Sequence, residues 1–109
     1  METIERKTVS LNGIKEIVYL KSIGDFTTSY LRNGKEGLVE YGLEYIQSKL
    51  PNHKFFRISD SFIINIDYLK KIKVNSNKNV LMHGGIELEM DLSKYQELKW
   101  YLRNRYCIQ

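Results

Sequence analysis

Phe55-Phe56-Arg57-Ile58-Ser59-Asp60-Ser61-Phe62-Ile63-Ile64-Asn65-Ile66-Asp67-Tyr68-Leu69-Lys70-Lys71-Ile72 is the stretch on which the reading of this chain turns. Phe55 to Ile58 is aromatic and β-branched, a composition that suits a pleated, half-buried surface. Ser59-Asp60 is a turn pair, and Ser61 to Asn65 and Leu69 to Val74 read as further extended segments. Asn65 follows a strand, where an Asn side chain commonly bonds nearby backbone and fixes a turn.

Working toward the N-terminus, Leu43, Ile46 and Leu50 share one face of a short helix, Leu43 to Leu50, which Pro51-Asn52 stops. Before it, Phe26 to Leu31 and Gly37 to Tyr41 pair across the hairpin signal Asn33-Gly34. Phe26, Thr28 and Tyr30 fall on one face of that strand, Thr27, Ser29 and Leu31 on the other. Gly24-Asp25 breaks it from Lys15 to Ser22, whose Ile17-Val18-Tyr19-Leu20 run is apolar on both faces, as a central strand requires. Residues 1–11 are a first strand (Thr3 to Leu11) or the end of a linker, closed by Asn12-Gly13.

Toward the C-terminus, Asn75 to Asn79 is polar enough for an exposed loop. Val80 to His83, Gly84-Gly85 and Ile86 to Met90 form a last hairpin. A terminal helix spans 93–106, with Ser93 as its cap and Gln96 completing a capping box. Tyr95, Leu98 and Leu102 face inward, and Lys99, Arg103 and Arg105 crowd the last turns, where the helix dipole favours cations. The expectation is one mostly-β domain over 1–109, built of short antiparallel strands with a short mid-chain helix and a C-terminal helix.

Composition narrows the function classes. Seventeen Lys and Arg against thirteen Asp and Glu leave a formal charge of +4, compatible with a polyanion partner and equally with a basic domain that has none. The one cysteine, Cys107, has no partner for an intramolecular disulfide, which fits a reducing cytoplasm. No apolar run is long enough to span a bilayer, so no membrane role is expected. An enzyme is not expected either: His53 and His83 stand alone without a metal-ligand spacing, and no cofactor motif or nucleophile–base set is visible. Lysines and arginines gather around Lys54 to Arg57, Lys70-Lys71-Ile72-Lys73 and Lys94 to Arg105, yet neither helix has a neighbour to make a helix-turn-helix. Reading of DNA would therefore fall to loops or strands. The Lys70, Lys71 and Lys73 run reads equally as a solvated edge that discourages strand aggregation.

The ordered set of segments resembles the LytTR family. Phe55 to Ile72 is similar to the family's signature of an aromatic and Arg, a polar step, Ser, apolar residues, Asn, and a turn into a basic strand. Ile17 to Lys21 followed by Gly24-Asp25-Phe26 is similar to its core strand and Gly-Asp-aromatic turn, Leu43 to Pro51 to its short helix, and Ile86 to Met90 to its last strand. The likeness runs from Ile14 to Tyr106. It implies an elongated all-β domain that puts loops into successive major grooves of double-stranded DNA and regulates transcription. It also implies a receiver domain on the same parent chain and a homodimer on repeated half-sites. No cofactor is implied.

Carried over by position, the resemblance assigns DNA contact to Asp25, Phe26, Arg57, Ser59, Asp60, Ser61, Lys70, Lys71, Leu92 and Lys94. Arg57, Ser61 and Asn65 agree with the family pattern. Arg57 would meet a phosphate or pair with a carboxylate; Ser61 would donate to a phosphate or stabilise its turn; Asn65 reads as a turn-fixing residue ahead of a DNA contact. Ser59 stands where the family commonly has His, Asp60 where it has a polar or basic reader, and Asp91-Leu92 where it often has Ser-Arg. Asp60 suits cytosine N4, Leu92 suits a thymine methyl, and Lys94 supplies the missing cation or is a solvated helix residue. The alternative is a LytTR-like domain whose base readers are lost, working through protein contacts on an acidic rim of Asp25, Asp60 and Asp91.

Overall fold

The computed structural model describes residues 13–74 and 78–107, with side chains through residue 104. Strands β1 (Ile17–Ile23), β2 (Phe26–Leu31) and β3 (Glu36–Val39) form a meander, followed by helix α1 (Leu43–Lys49). Strands β4 (Phe55–Arg57) and β5 (Phe62–Asn65) complete a five-stranded antiparallel sheet in the order β3-β2-β1-β5-β4. A 3-10 turn, Ile66–Tyr68, leads into a second antiparallel sheet of β6 (Leu69–Val74), β7 (Lys78–Met82) and β8 (Glu87–Glu89), and helix α2 (Leu92–Cys107) closes the fold. The mostly-β architecture with two helices is the one expected, and its extents of 44 × 33 × 24 Å make it elongated.

Two cores lie on opposite faces of the large sheet. On one face Leu43, Ile46 and Leu50 of the α1 segment pack on Ile17, Leu20, Val39, Phe55 and Ile63. On the other, Val80, Met82 and Leu88 of the small sheet and Leu98 of α2 pack on Val18, Tyr19, Ile58 and Ile64. Ile63 and Ile64 are consecutive and both essentially inaccessible to solvent, because successive side chains of a strand point to opposite faces and here both faces are covered. Each such side chain contributes about 1.5–3 kcal/mol through burial. Burial also pushes the Tyr19 hydroxyl above its usual titration range, helped by the neighbouring Tyr30 and Glu36.

The route between the two sheets depends on Asn65, which is wholly buried. Its Nδ2 donates to the Ile17 carbonyl at 2.8 Å, and its Oδ1 accepts from the Asp67 amide at 2.9 Å. One side chain thus fastens the end of β5 to the start of β1 and caps the turn that redirects the chain. The turn-fixing reading of Asn65 is the one observed.

Some boundaries differ from expectation. Thr3 to Leu11 lies outside the described residues, as do 75–77 of the expected Asn75 to Asn79 loop. Lys78 and Asn79 are strand, because Lys78 pairs with Val74 and Asn79 with Lys73 and Glu89. Helix α2 begins at Leu92, which places Ser93 inside the first turn and Asp91, rather than the expected Ser93, in the position before the helix. The Asp91 amide is held by the buried Ile58 carbonyl at 2.9 Å, so a tertiary bond, rather than the local capping box, sets where the helix starts.

Replacing Asn65 by Ala strands the buried Ile17 carbonyl, costing about 1–3 kcal/mol, and removes the part-buried cap on the Asp67 amide, costing about 1 kcal/mol more. Urea unfolding of Asn65→Ala is expected to show a loss of about 2–4 kcal/mol, against little change for Ser48→Ala, whose hydroxyl makes an exposed bond within α1.

Candidate nucleic-acid interface

The β4–β5 connection is a polar loop held from beneath. Arg57, on the last position of β4, sends Nε to the Ser59 carbonyl and Nη2 to the Asp60 carbonyl, both at 2.9 Å. Its Nη1 donates to Gln47 Oε1 of α1 at 3.0 Å. The planar guanidinium thus fits two successive carbonyls, a task for its fixed fork that a lysine cannot perform. Ser59 Oγ accepts from the amides of Ser61 and Phe62 at 3.1 and 3.2 Å, and the Ile58 amide donates to the Phe62 carbonyl at 3.0 Å. These bonds leave the Asp60 and Ser61 side chains exposed at the crest.

Two further segments meet that loop. The Ser22 amide donates to the Ser61 carbonyl at 2.8 Å, which brings up the β1–β2 turn with Gly24 and Asp25. Gly24 has φ +58°, a left-handed conformation that glycine takes without steric cost. From the other side, the Asp91 bond to Ile58 delivers the start of α2. Ser59, Asp60 and Ser61 therefore share an open groove of about 390 Å³ with Asp91, Leu92, Glu89 and Lys78. Leu92 is 70% exposed there, the most solvent-facing large apolar side chain among the described residues.

The expected contact residues separate into groups. Asp25, Ser59, Asp60, Ser61 and Leu92 gather at this end of the molecule. Arg57 lies beneath them, its donors turned to backbone and to Gln47. Phe26 pairs with Ile23 and lies on the sheet face beside the turn. Lys94 lines a neighbouring crevice with Arg57 and Tyr101, and its Nζ is 3.5 Å from Glu97 Oε1 of its own helix. Lys70 and Lys71 are exposed on β6, near the end that pairs with Met82 and Leu81. That is the opposite end of the strand from Lys78, on the order of 15 Å away at strand rise.

Lys78 is the groove residue that sequence reasoning missed. In the sequence it belongs to the polar stretch Asn75 to Asn79, but Lys78, Val80 and Met82 alternate along β7, so the inward row seen in Val80 and Met82 extends one step back to it. Its Nζ sits 5.1 Å from the centre of the Tyr95 ring, where the ring's negative face holds it at the groove wall. Among the described lining residues it is the one cation, facing Asp60, Glu89 and Asp91. No cluster of three or more His, Cys, Asp and Glu that could hold a metal occurs among the described residues, and no helix there is long and apolar enough to cross a membrane.

Residues 7–103 match the family described as LytTr DNA-binding domain. The sensory transduction protein LytT of Bacillus anthracis is 32% identical over 103 residues, covering 92% of this chain and 41% of that protein. LytT of Bacillus subtilis (strain 168) is 36% identical over 59 residues, 52% of this chain and 24% of that protein. The chain therefore spans less than half the length of these relatives. Among solved structures, a LytTr DNA-binding domain of a response regulator from Bacillus cereus superposes with a TM-score of 0.72 at 23% identity, covering 81% of this chain and 82% of that one, which shows a common fold.

Loss of the Arg57 fork is expected to loosen the crest without unfolding the sheet. In Arg57→Ala, and nearly as much in Arg57→Lys, amide hydrogen exchange at Ser61 and Phe62 should accelerate about tenfold or more, equivalent to one hydrogen bond's net 1.4 kcal/mol. Exchange at Leu20 and Ile64 should stay within about twofold, as expected of core strands that open only globally.

Proposed function

Because the chain belongs to the family of LytTr DNA-binding domains, we propose that it is a transcriptional regulator reading double-stranded DNA by the major groove through the crest at Ser59–Ser61, the Asp25 turn and the start of α2. The observation that carries this reading is the convergence of the crest, Lys78 of β7 and the start of α2 on one exposed groove, with the Asp25 turn fastened beside the crest by the bond from Ser22 to Ser61. A loop braced by Arg57 presents its side chains in fixed positions, and such preorganisation limits the entropy lost on binding. Phosphate contacts set register, and base-edge contacts specify sequence. Ser61 and Lys78 are suited to the first task and Asp60 and Leu92 to the second, with Lys70, Lys71 and Lys94 as outlying cations along the flanks.

The groove's chemistry favours particular bases. The Asp60 carboxylate can only accept, so it pairs with cytosine N4 and disfavours a base edge made of acceptors. Leu92 offers apolar contact to a thymine methyl. A second reading rests on the three carboxylates, Asp60, Glu89 and Asp91, that share the groove with one lysine: an acidic face that engages a basic protein surface instead of DNA. The proposal also places the signal-receiving step in a receiver domain of a longer parent chain.

Selection from a random duplex library at near-physiological salt tests the first reading, with a short enriched motif containing C·G and T·A pairs as the expected result. Enrichment that persists unchanged in Asp60→Asn and Leu92→Ala would remove those residues from base reading, and recovery of no DNA at all would favour the protein-contact reading. Lys78→Ala should weaken binding to all sequences alike and lower the salt slope by about 0.9, the share of one phosphate.

A further inference from the structure

Among the described residues, four strands stand at sheet edges: β3 and β4 in the large sheet, β6 and β8 in the small one. Three of them carry exposed charge along the strand, Glu36 on β3, Lys70 and Lys71 on β6, Glu87 and Glu89 on β8. Such charges deter a further strand from pairing. β4 instead carries Phe55, Phe56 and Arg57, and the Arg57 guanidinium is spent on the crest and Gln47. Hydrogen-bond parity shows what the open side of β4 presents. The Ile66 amide donates to the Lys54 carbonyl at 2.7 Å, and the Ile58 amide donates to the Phe62 carbonyl at 3.0 Å. Lys54, Phe56 and Ile58 therefore face β5, and the backbone groups of Phe55 and Arg57 face outward. The Phe55 amide closes a turn on the Pro51 carbonyl at 3.2 Å. Among the described residues, the Phe55 carbonyl and both backbone groups of Arg57 are left without a partner.

A crevice lies against that edge on either face of the sheet. Toward α1, Leu50, Phe55 and Ile63 line about 400 Å³, with Glu44 the one charged residue among the described lining. Toward α2, His53, Phe56, Lys94 and Tyr101 help to line about 440 Å³, with Glu97 the one carboxylate. Gln47, Asn52 and Phe55 border both, so the two crevices meet along the edge. We propose that the β4 edge takes an extended segment of a partner protein as a further strand, one in which carboxylates alternate with apolar side chains. Successive side chains of an added strand point to opposite faces, so each crevice receives one row. The apolar row suits Leu50, Phe55 and Ile63, and Glu44 repels a carboxylate there. The acidic row meets Lys94, whose Nζ is 3.5 Å from Glu97 Oε1, a pair loose enough to admit a second carboxylate. In strand addition the main-chain bonds supply affinity and the side-chain pockets supply selectivity. β4 spans only about 10 Å, and the Tyr101 hydroxyl, donating to the Asn52 carbonyl at 3.1 Å, bounds one end, so the contact is short and weak. Arg57 offers its amide to the added strand and its guanidinium to the crest, so occupancy also stiffens the loop at 59–61. This inference does not depend on the DNA reading and is tested without it.

The experiment is a nuclear magnetic resonance titration of the chain with an end-blocked pentapeptide of alternating glutamate and valine, taken to roughly a millimolar. Amide shifts should centre on Phe56 to Ile58. Extrapolated to saturation, exchange of the Arg57 amide should slow about tenfold or more, and exchange at Ser61 and Phe62 should slow with it. The same peptide with lysine for glutamate should not bind, and Lys94→Glu should reverse that preference. Pairing through the backbone demands more. N-methylation of either the valines or the glutamates removes alternate donors, and only one of those two sets faces β4. One methylated peptide should therefore lose at least about tenfold in affinity while the other keeps it. Equal behaviour of the two methylated peptides, shifts that centre on Lys78 instead, or no binding of the alternating peptide overturns the proposal. Protection of the Arg57 amide by duplex DNA and not by the peptide would assign the edge to nucleic acid and overturn it as well.

Discussion

The two hydrogen bonds of the Asn65 side chain are the constraint on which the rest of the arrangement depends. β5 is a short strand, and without a fixed exit the chain beyond it would have no reason to fold back as a second sheet over Ile64 and Val18. Asn65 fixes that exit with a donor spent on β1 and an acceptor spent on the 3-10 turn, at a site wholly shielded from water. A buried amide with either bond unmade is penalised by more than the bond's net worth, so the side chain selects one geometry over all others. The second core, and with it the position of α2, follows from that choice.

The same logic of fixed backbone polar groups builds the groove. The carbonyl of the buried Ile58 accepts the Asp91 amide, and the carbonyl of Ser61 accepts the Ser22 amide. Together with the Arg57 fork, these bonds join three segments that are far apart in sequence. The side chains they present are weakly charged for a DNA surface. Lys78 is opposed by three carboxylates in the groove itself, so little of the chain's +4 charge is concentrated there. A nucleic-acid contact made here relies on the outlying lysines for electrostatic attraction, and on shape and base-edge chemistry for selectivity.

Much of the fold was legible because its signals are local. The turn pair Gly24-Asp25, the alternation in β2, the helix break at Pro51 and the adjacent Ile63 and Ile64 each specify their own element. What was illegible is what tertiary contact decides. Ser93 and Gln96 make a good capping box, yet the Ile58 carbonyl starts α2 one residue earlier. Lys78 looks like part of a polar loop until its pairing with Val74 is known. Arg57 offers no sequence cue that its donors go to the two carbonyls that follow it, since an arginine at a strand end suits a phosphate or a carboxylate equally well. The candidate site was legible as a set of loops and illegible as a geometry: the sequence points to the loop at 59–61 and the start of α2, but not to which lysine stands between them.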